Sequence, residues 1–174
     1  MNAASAGPPG EAVVHGDGRL VFQGRVVRCA VGRAGVLPAA AKREGDGATP
    51  TGLLTLRRVF YRADRVAIPR CTVAREPIAE SDGWCDDPAH AAYNRRVTLP
   101  HLARHEEMWR PDSLYDIVGE LGWNDAPVVP FRGSAIFLHL ASADCRPTAG
   151  CVALALRDLV AVLAGGLTAL QVVE

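Results

Sequence analysis

The sequence lacks an excess of either charge, because its 19 lysine and arginine residues are matched by 19 aspartate and glutamate residues. It therefore offers neither the basic surface expected of a nucleic-acid-binding protein nor the polybasic segment of a membrane-surface anchor. No apolar run approaches the roughly 18 residues of a transmembrane helix, so we expect no membrane span. None of the five cysteines stands in a CxxC pair, so a cysteine-based zinc or redox centre is not indicated.

The first ten residues (MNAASAGPPG) lack both a positively charged start and an apolar stretch of signal-peptide length. We therefore expect no export signal in this chain, which favours a cytoplasmic protein. The same residues are small and proline-rich, so they cannot bury enough surface to hold one conformation. The sequence predicts a disordered tail over residues 1–10 and a single domain over residues 11–174.

The rest of the chain consists of short apolar runs separated by turn residues, a pattern typical of β-structure. Gly16-Asp17-Gly18 separates two such runs and predicts a hairpin. The segment 62–95 is irregular and predicts surface loops with a few short strands. We expect strands over residues 12–15, 20–23, 25–31, 53–61, 135–140 and 167–173.

Two segments predict helices. Residues 154–164 place Leu156, Leu159, Val160 and Leu163 at helical spacing before Gly165-Gly166. Residues 101–109 fit a short helix, while residues 115–121 fit either a strand or a helical turn. The sequence therefore predicts one mostly-β domain with a few short helices.

His139 and Cys151 are the candidates for chemistry. His139 ends a predicted buried strand, and Cys151 follows twelve positions later, after a turn rich in serine, aspartate and proline. Such a turn can bring the imidazole within hydrogen-bond reach of the thiol and lower the thiol pKa from about 8.5. Gly150 allows an unusual backbone angle, and its amide can help to stabilise an oxyanion. The same spacing also fits a buried histidine packed beside a buried thiol.

The run from Ile136 to Val152 (IFLHLASADCRPTAGCV) resembles the signature of the L,D-transpeptidase, or YkuD-like, family. In that signature a strand ends in histidine, and Ser/Thr-x-Gly-Cys-Ile/Val follows. Residues 46–52 (DGATPTG) are similar to the Thr-Pro-x-Gly turn before a core strand of the family. Further similar segments suggest a compact branch without accessory modules: Lys42-Arg43-Glu44-Gly45, Trp84 with Asp86, Tyr93-Asn94 and residues 133–137.

The resemblance covers about residues 26–173 and implies a β-sandwich-like catalytic domain that needs no metal or cofactor. It implies that Cys151 attacks the third residue of a peptidoglycan tetrapeptide stem, releasing the terminal D-alanine and forming a thioester. The amine of a diamino acid, or water, would then resolve the thioester. The backbone carbonyl of Leu140 would orient His139. A carbapenem would form a covalent adduct with the same cysteine.

One departure from the family pattern affects a guanidinium that serves either the substrate or the order of the loop. The family commonly has arginine two places after the cysteine, where this chain has Ala153. Arg132 and Arg146 are the nearest candidates to supply a guanidinium. The other predicted substrate-binding residues, each of which also fits a structural role, are Thr148, Trp84, Tyr93, Asn94 and Arg95. His101 and His105 stand four apart but lack the HExxH arrangement, so they do not indicate zinc.

Three interpretations remain at this point. The chain is a transpeptidase that cross-links stems, an L,D-carboxypeptidase that trims recycled muropeptides, or a non-catalytic domain that binds cell-wall fragments. The missing arginine motivates the last of these. Five thiols and the missing export signal favour the cytoplasmic carboxypeptidase, because reducing compartments preserve free thiols, whereas the commoner family assignment favours the bacterial periplasm or cell envelope.

Overall fold

The computed structural model describes residues 8–174. Within them the chain forms strands and a single helix, so the mostly-β prediction is confirmed. The strands are β1 (Glu11–His15), β2 (Arg19–Phe22), β3 (Arg25–Ala30), β4 (Val36–Leu37), β5 (Thr49–Pro50), β6 (Gly52–Tyr61), β7 (Ala74–Pro77), β8 (Asp82–Cys85), β9 (Arg95–Thr98), β10 (His105–Glu107), β11 (Ile117–Leu121), β12 (Phe137–Leu140), β13 (Val152–Leu154) and β14 (Ala169–Val173). The helix is α1 (Leu156–Ala164).

Residues 1–7 of the predicted disordered tail lie outside the described residues. Gly10, the last residue of that tail, is held by the C-terminal part of the domain. Its carbonyl accepts hydrogen bonds from the backbone N–H of Thr168 at 2.7 Å and from the Thr168 hydroxyl at 3.0 Å. No helix within residues 8–174 has the length and apolar character needed to cross a bilayer.

The main sheet has nine strands in the order β11-β12-β13-β3-β2-β1-β14-β6-β7. The long strand β6 pairs with β14 through residues 52–55 and with β11 through residues 56–61, so these pairings form a closed circuit. Such a circuit leaves few exposed edges. A second sheet, β10-β8-β9, and the short pair β4-β5 lie outside this circuit.

The large core follows from alternation along the strands. In β1, Ala12 and Val14 are completely buried while their neighbours are partly exposed, as expected for side chains that alternate between two faces. Helix α1 covers this core with Leu159, Val162 and Leu163. The predicted apolar face was wrong for Leu156 and Val160, which are 49% and 40% exposed.

A smaller core supports the segment that carries Cys151. It contains Cys151 itself together with Phe60, Ile78, Trp84, Met108, Tyr115, Val118, Ala135 and Phe137. Trp84 packs edge-on against Phe137 with ring centroids 5.0 Å apart. The nucleophile candidate is therefore fixed by an aromatic cluster rather than carried on a free loop.

The helix predicted over residues 101–109 is not formed. Residues 105–107 are strand β10 instead, and Glu106 lies opposite Trp84 of β8. Pairing with a strand about twenty residues away overrides the local helical tendency of this segment. Residues 117–121, for which two alternatives remained, form strand β11.

Candidate active site

Two neighbouring parallel strands bring His139 and Cys151 to one cavity. His139 lies on β12 directly opposite Ala153 of β13, and Cys151 immediately precedes β13. The turn between them therefore folds back, as the sequence predicts. Both side chains line a cavity of about 770 Å³.

The Cys151 thiol is buried, with only 7% of the residue exposed. Its Sγ–H donates to the carbonyl oxygen of Ala135 at 3.1 Å, and the Phe137 N–H donates to Sγ at 3.4 Å. Burial raises the pKa of Cys151 to about 12, against a weaker lowering by the Phe137 hydrogen bond. The thiol is therefore protonated at neutral pH, and the predicted lowering of its pKa is wrong for the resting site.

The predicted hydrogen bond between His139 and Cys151 is likewise missing from the contacts of residues 8–174. The thiol donates to the Ala135 carbonyl instead. The arrangement is that of a neutral pair at rest, and not of a preformed thiolate and imidazolium.

His139 is held by its neighbour in sequence. Its Nδ1 lies 2.8 Å from the carbonyl oxygen of Leu140, so a proton on Nδ1 donates to that carbonyl and Nε2 keeps its lone pair. Burial lowers the pKa of His139 to about 4, so the imidazole is neutral at pH 7. The Tyr115 ring packs edge-on against it with centroids 5.3 Å apart. A neutral, oriented imidazole is suited to accept a proton.

The loop before Cys151 depends on a glycine and a threonine. Gly150 has φ +140°, and a Cβ there would lie 2.9 Å from the carbonyl oxygen of Ala48, so no other residue fits without strain. The Thr148 hydroxyl accepts from the Gly150 N–H at 3.1 Å and donates to the Cys151 carbonyl at 2.6 Å. The Gly150 amide, predicted to serve an oxyanion, is thus already engaged by Thr148.

The two sequence segments that resemble the family meet at this loop. Thr49, from the upstream DGATPTG run, accepts a hydrogen bond from the Gly32 N–H at 2.9 Å and donates to the Cys151 carbonyl at 3.5 Å. Gly32 also forms an isolated parallel β-bridge with Thr148. Segments about 100 residues apart in sequence therefore shape one turn.

The wall of the cavity is rich in charge. Besides His139, Cys151, Thr148 and Arg146, the lining includes charged residues for which the sequence predicted no role: Arg33, Lys42, Glu44, Asp86, Arg104, Glu106 and Arg110. Four of them lie in segments that the sequence singled out for other reasons: Lys42, Glu44, Asp86 and Glu106. No motif or segment of the sequence pointed to Arg33.

Most of the cavity cations are already paired. Lys42 bonds to Asp46 at 2.7 Å, Arg104 to Asp86 at 3.0 Å and Arg146 to Asp144 at 3.0 Å. Arg110 bonds to Asp112 at 2.6 Å. Arg33, by contrast, has no side-chain ion pair or hydrogen bond with any of residues 8–174, although its backbone N–H donates to the Thr148 carbonyl at 2.8 Å. Its guanidinium is therefore the free cation beside the Cys151 loop in the described structure.

Several predicted substrate-binding residues do not line the cavity. Trp84 is buried behind it and donates from Nε1 to the Asn94 side-chain oxygen at 3.0 Å. Asn94 is also buried, and its amide donates to the carbonyls of Trp123 and Asn124 at 2.9 Å. These hydrogen bonds join the irregular segment to the rest of the domain, which favours a structural role for both residues.

Tyr93, Arg95 and Arg132 also lie off the cavity. The Tyr93 hydroxyl donates to Glu44 and accepts from the Gly133 N–H at 3.0 Å. Arg95 donates to the Asp125 carbonyl at 2.8 Å, and the Arg132 guanidinium lies over the Trp123 ring. These contacts fix loops around the site. Of the two arginines predicted to replace the family residue, only Arg146 faces the cavity.

Residues 8–174 contain no group of three or more histidine, cysteine or acidic side chains arranged to hold a metal. His101 packs edge-on against both His90 and His105 instead, with ring centroids 5.1 and 6.2 Å apart. The five cysteines are free thiols in the structure.

Comparison with known proteins gives a family but no individual relative. No curated protein and no solved structure matched the chain. The family model described as the L,D-transpeptidase catalytic domain, YkuD, matches residues 11–167. That range includes nearly the whole domain and both segments that meet at the Cys151 loop, and the chain belongs to the YkuD family of L,D-transpeptidase catalytic domains.

Proposed function

We propose that this protein is a cysteine acyltransferase that acts on peptidoglycan tetrapeptide stems through a thioester on Cys151. The observation that carries the proposal is the pairing of β12 with β13, which brings an oriented neutral imidazole and a buried thiol to the same cavity. Membership of the L,D-transpeptidase family supports the substrate class.

The neutral resting pair favours deprotonation that is coupled to attack. As the stem carbonyl enters, the Cys151 proton moves from its bond with Ala135 to Nε2 of His139 while Sγ bonds to the carbonyl carbon. The tetrahedral intermediate then expels the D-alanine nitrogen, which takes the proton from His139. The C–N bond breaks, the acyl group stays on sulfur as a thioester, and both side chains end neutral.

We infer that Arg33 binds the terminal carboxylate of the stem. The support is its free guanidinium on the cavity wall and its backbone bond to Thr148 in the Cys151 loop. Arg146 also faces the cavity, but it is paired with Asp144. A guanidinium matches a carboxylate with two parallel hydrogen bonds.

The experiment is intact-protein mass spectrometry after incubation with a carbapenem. We expect one covalent adduct, located at Cys151 by peptide mapping. Cys151→Ala should abolish it, whereas Cys145→Ala, which removes a more exposed thiol six residues away, should leave it unchanged. Folded wild-type protein that stays unmodified would refute the proposal and favour a non-catalytic domain that binds cell-wall fragments.

The products formed from a disaccharide tetrapeptide distinguish a transpeptidase from an L,D-carboxypeptidase. Dimers linked between two third-position residues indicate acyl transfer to an amine. Monomeric tripeptide as the sole product indicates an L,D-carboxypeptidase that uses water at the same thioester.

A further inference from the structure

Glu106 occupies an unusual place on the cavity wall. It lies on β10, which joins the domain through pairing with β8, and its carboxylate accepts a hydrogen bond from the Tyr115 hydroxyl at 2.7 Å. Burial raises the pKa of Glu106. A carboxylate in such surroundings carries a desolvation cost, which is typical of groups kept for a ligand.

Among the three carboxylates of this wall, Glu106 differs from Asp86 in having no cation bound to it, and from Glu44 in accepting from one hydroxyl rather than two. Asp86 is paired with Arg104, and Glu44 accepts from the Ser134 hydroxyl at 2.8 Å as well as from Tyr93. Within residues 8–174, Glu106 has the Tyr115 hydrogen bond and no salt bridge.

The remaining charges near Glu106 do not neutralise it. Arg110 lowers its pKa, but that guanidinium is bound to Asp112, while Asp86 and Glu44 raise it. A second donor, and a positive one, is therefore what this carboxylate lacks.

The carboxylate also borders the reacting groups. Tyr115, which donates to Glu106, packs its ring against His139, and the charge of Glu106 contributes to the raised pKa of Cys151. Carboxylate, imidazole and sulfur thus face the same cavity from three different strands or strand ends.

We propose that Glu106 binds the ammonium group of the incoming acyl acceptor and removes a proton from it before the amine attacks the thioester. This assignment rests on the proposed function, since it concerns the second half of that reaction. An ammonium supplies both the positive charge and the hydrogen-bond donor that Glu106 lacks.

The carboxylate takes one proton from R–NH₃⁺ and becomes neutral, and the free amine attacks the thioester carbonyl. His139 takes the second proton from the attacking nitrogen and delivers it to sulfur as the C–S bond breaks. The products are an amide, a neutral thiol and a neutral imidazole, and Glu106 later releases its proton to solvent.

The test compares two acceptors after a tetrapeptide donor has acylated Cys151. One is a disaccharide tripeptide with a free side-chain amine, which is an ammonium at neutral pH, and the other is hydroxylamine, which is uncharged there. Glu106→Gln keeps an oxygen for Tyr115 but cannot take a proton. It should lower transfer to the tripeptide about 100-fold relative to hydrolysis and leave transfer to hydroxylamine at the wild-type level.

Acylation itself should proceed in Glu106→Gln at the wild-type rate or faster, because a charge that raises the pKa of Cys151 is removed. Glu107→Gln is the matched control, since Glu107 is the exposed neighbour on β10. It should not change the rate of transfer to either acceptor. Glu106→Asp, which keeps the charge, should retain part of the transfer. Thermal unfolding of each variant confirms that it is folded.

The outcomes separate this inference from the proposed function. Glu106→Gln that transfers to both acceptors like wild type, or that loses both equally, overturns the role of Glu106 and leaves the thioester mechanism in place. A wild-type protein that acylates but only hydrolyses also overturns it. A wild-type protein that never acylates refutes the proposed function, and this assignment with it.

Discussion

Replacing Thr148 by valine tests how the Cys151 loop is held. Valine matches the shape of threonine but removes the hydroxyl, which accepts from the Gly150 N–H at 3.1 Å and donates to the Cys151 carbonyl at 2.6 Å. The only remaining side-chain donor to that carbonyl within residues 8–174 would be the Thr49 hydroxyl, at 3.5 Å. The Gly150 N–H loses its acceptor.

The expected cost follows from these two contacts. Leaving a partly buried donor unsatisfied costs about 1–3 kcal/mol, which corresponds to a fall in the unfolding midpoint of roughly 2–12 °C for a domain of this size. The larger effect should be on chemistry, because a small displacement of a nucleophile slows reaction by up to about 100-fold. We expect carbapenem acylation of Thr148→Val to slow about 10- to 100-fold.

The control is Thr72→Val. Thr72 donates a single hydrogen bond, to the Leu167 carbonyl at 3.1 Å, and does not line the cavity. It should lower the unfolding midpoint by a comparable amount without changing the acylation rate. Thr148→Val that acylates at the wild-type rate would refute the view that this hydroxyl positions Cys151.

Three further predictions concern the same site. Gly150→Ala should slow acylation and lower the unfolding midpoint by more than Gly24→Ala does. Gly24 also has a positive φ, but a Cβ added there would meet no atom within 4 Å. Adduct formation measures the acylation rate, and thermal unfolding measures the midpoint. The acylation rate of Cys151 should fall only as the pH drops through about 4, because burial holds the pKa of His139 there and the imidazole stays able to accept a proton above it; a fall centred near 6.5 in the pH profile contradicts this. Arg33→Gln should lower activity roughly 10- to 100-fold on a tetrapeptide with a free terminal carboxylate, and it should leave activity on the terminal amide unchanged.

Local patterns predicted the elements in which the hydrophobic period agrees with the flanking turn residues. The Gly16-Asp17-Gly18 turn does join two antiparallel strands, with Val14 opposite Leu20. The helix before Gly165 forms over Leu156–Ala164, within the predicted range 154–164, and β6 begins within one residue of the expected strand. In these segments the hydrophobic period and the turn residues act together, so tertiary contacts do not need to override them.

Segments whose conformation depends on strand pairing or burial elsewhere in the domain were harder to predict. Residues 101–109 were predicted to form a short helix, but residues 105–107 pair with β8 as a strand. Trp84 and Asn94 stand in an irregular, polar stretch, and nothing local reveals that they are buried and bonded to each other. The position of Arg33 beside the Cys151 loop likewise depends on a bridge between Gly32 and Thr148.

The site shows the same division. The motif around Cys151 and the strand that carries His139 predicted that these two residues lie at one cavity. The protonation state could not be predicted in the same way, because it depends on burial. An adjacent imidazole alone would lower the thiol pKa, but the desolvation of Cys151 dominates and raises it.

The most direct test of the proposed mechanism is rapid acid quenching of the protein with a disaccharide tetrapeptide, followed by peptide mapping. We expect a stem acyl group, lacking the terminal D-alanine, bound as a thioester to the peptide that contains Cys151 and absent from Cys151→Ala. Release of D-alanine without such an intermediate, or an acyl group found on Cys145 instead, would contradict it.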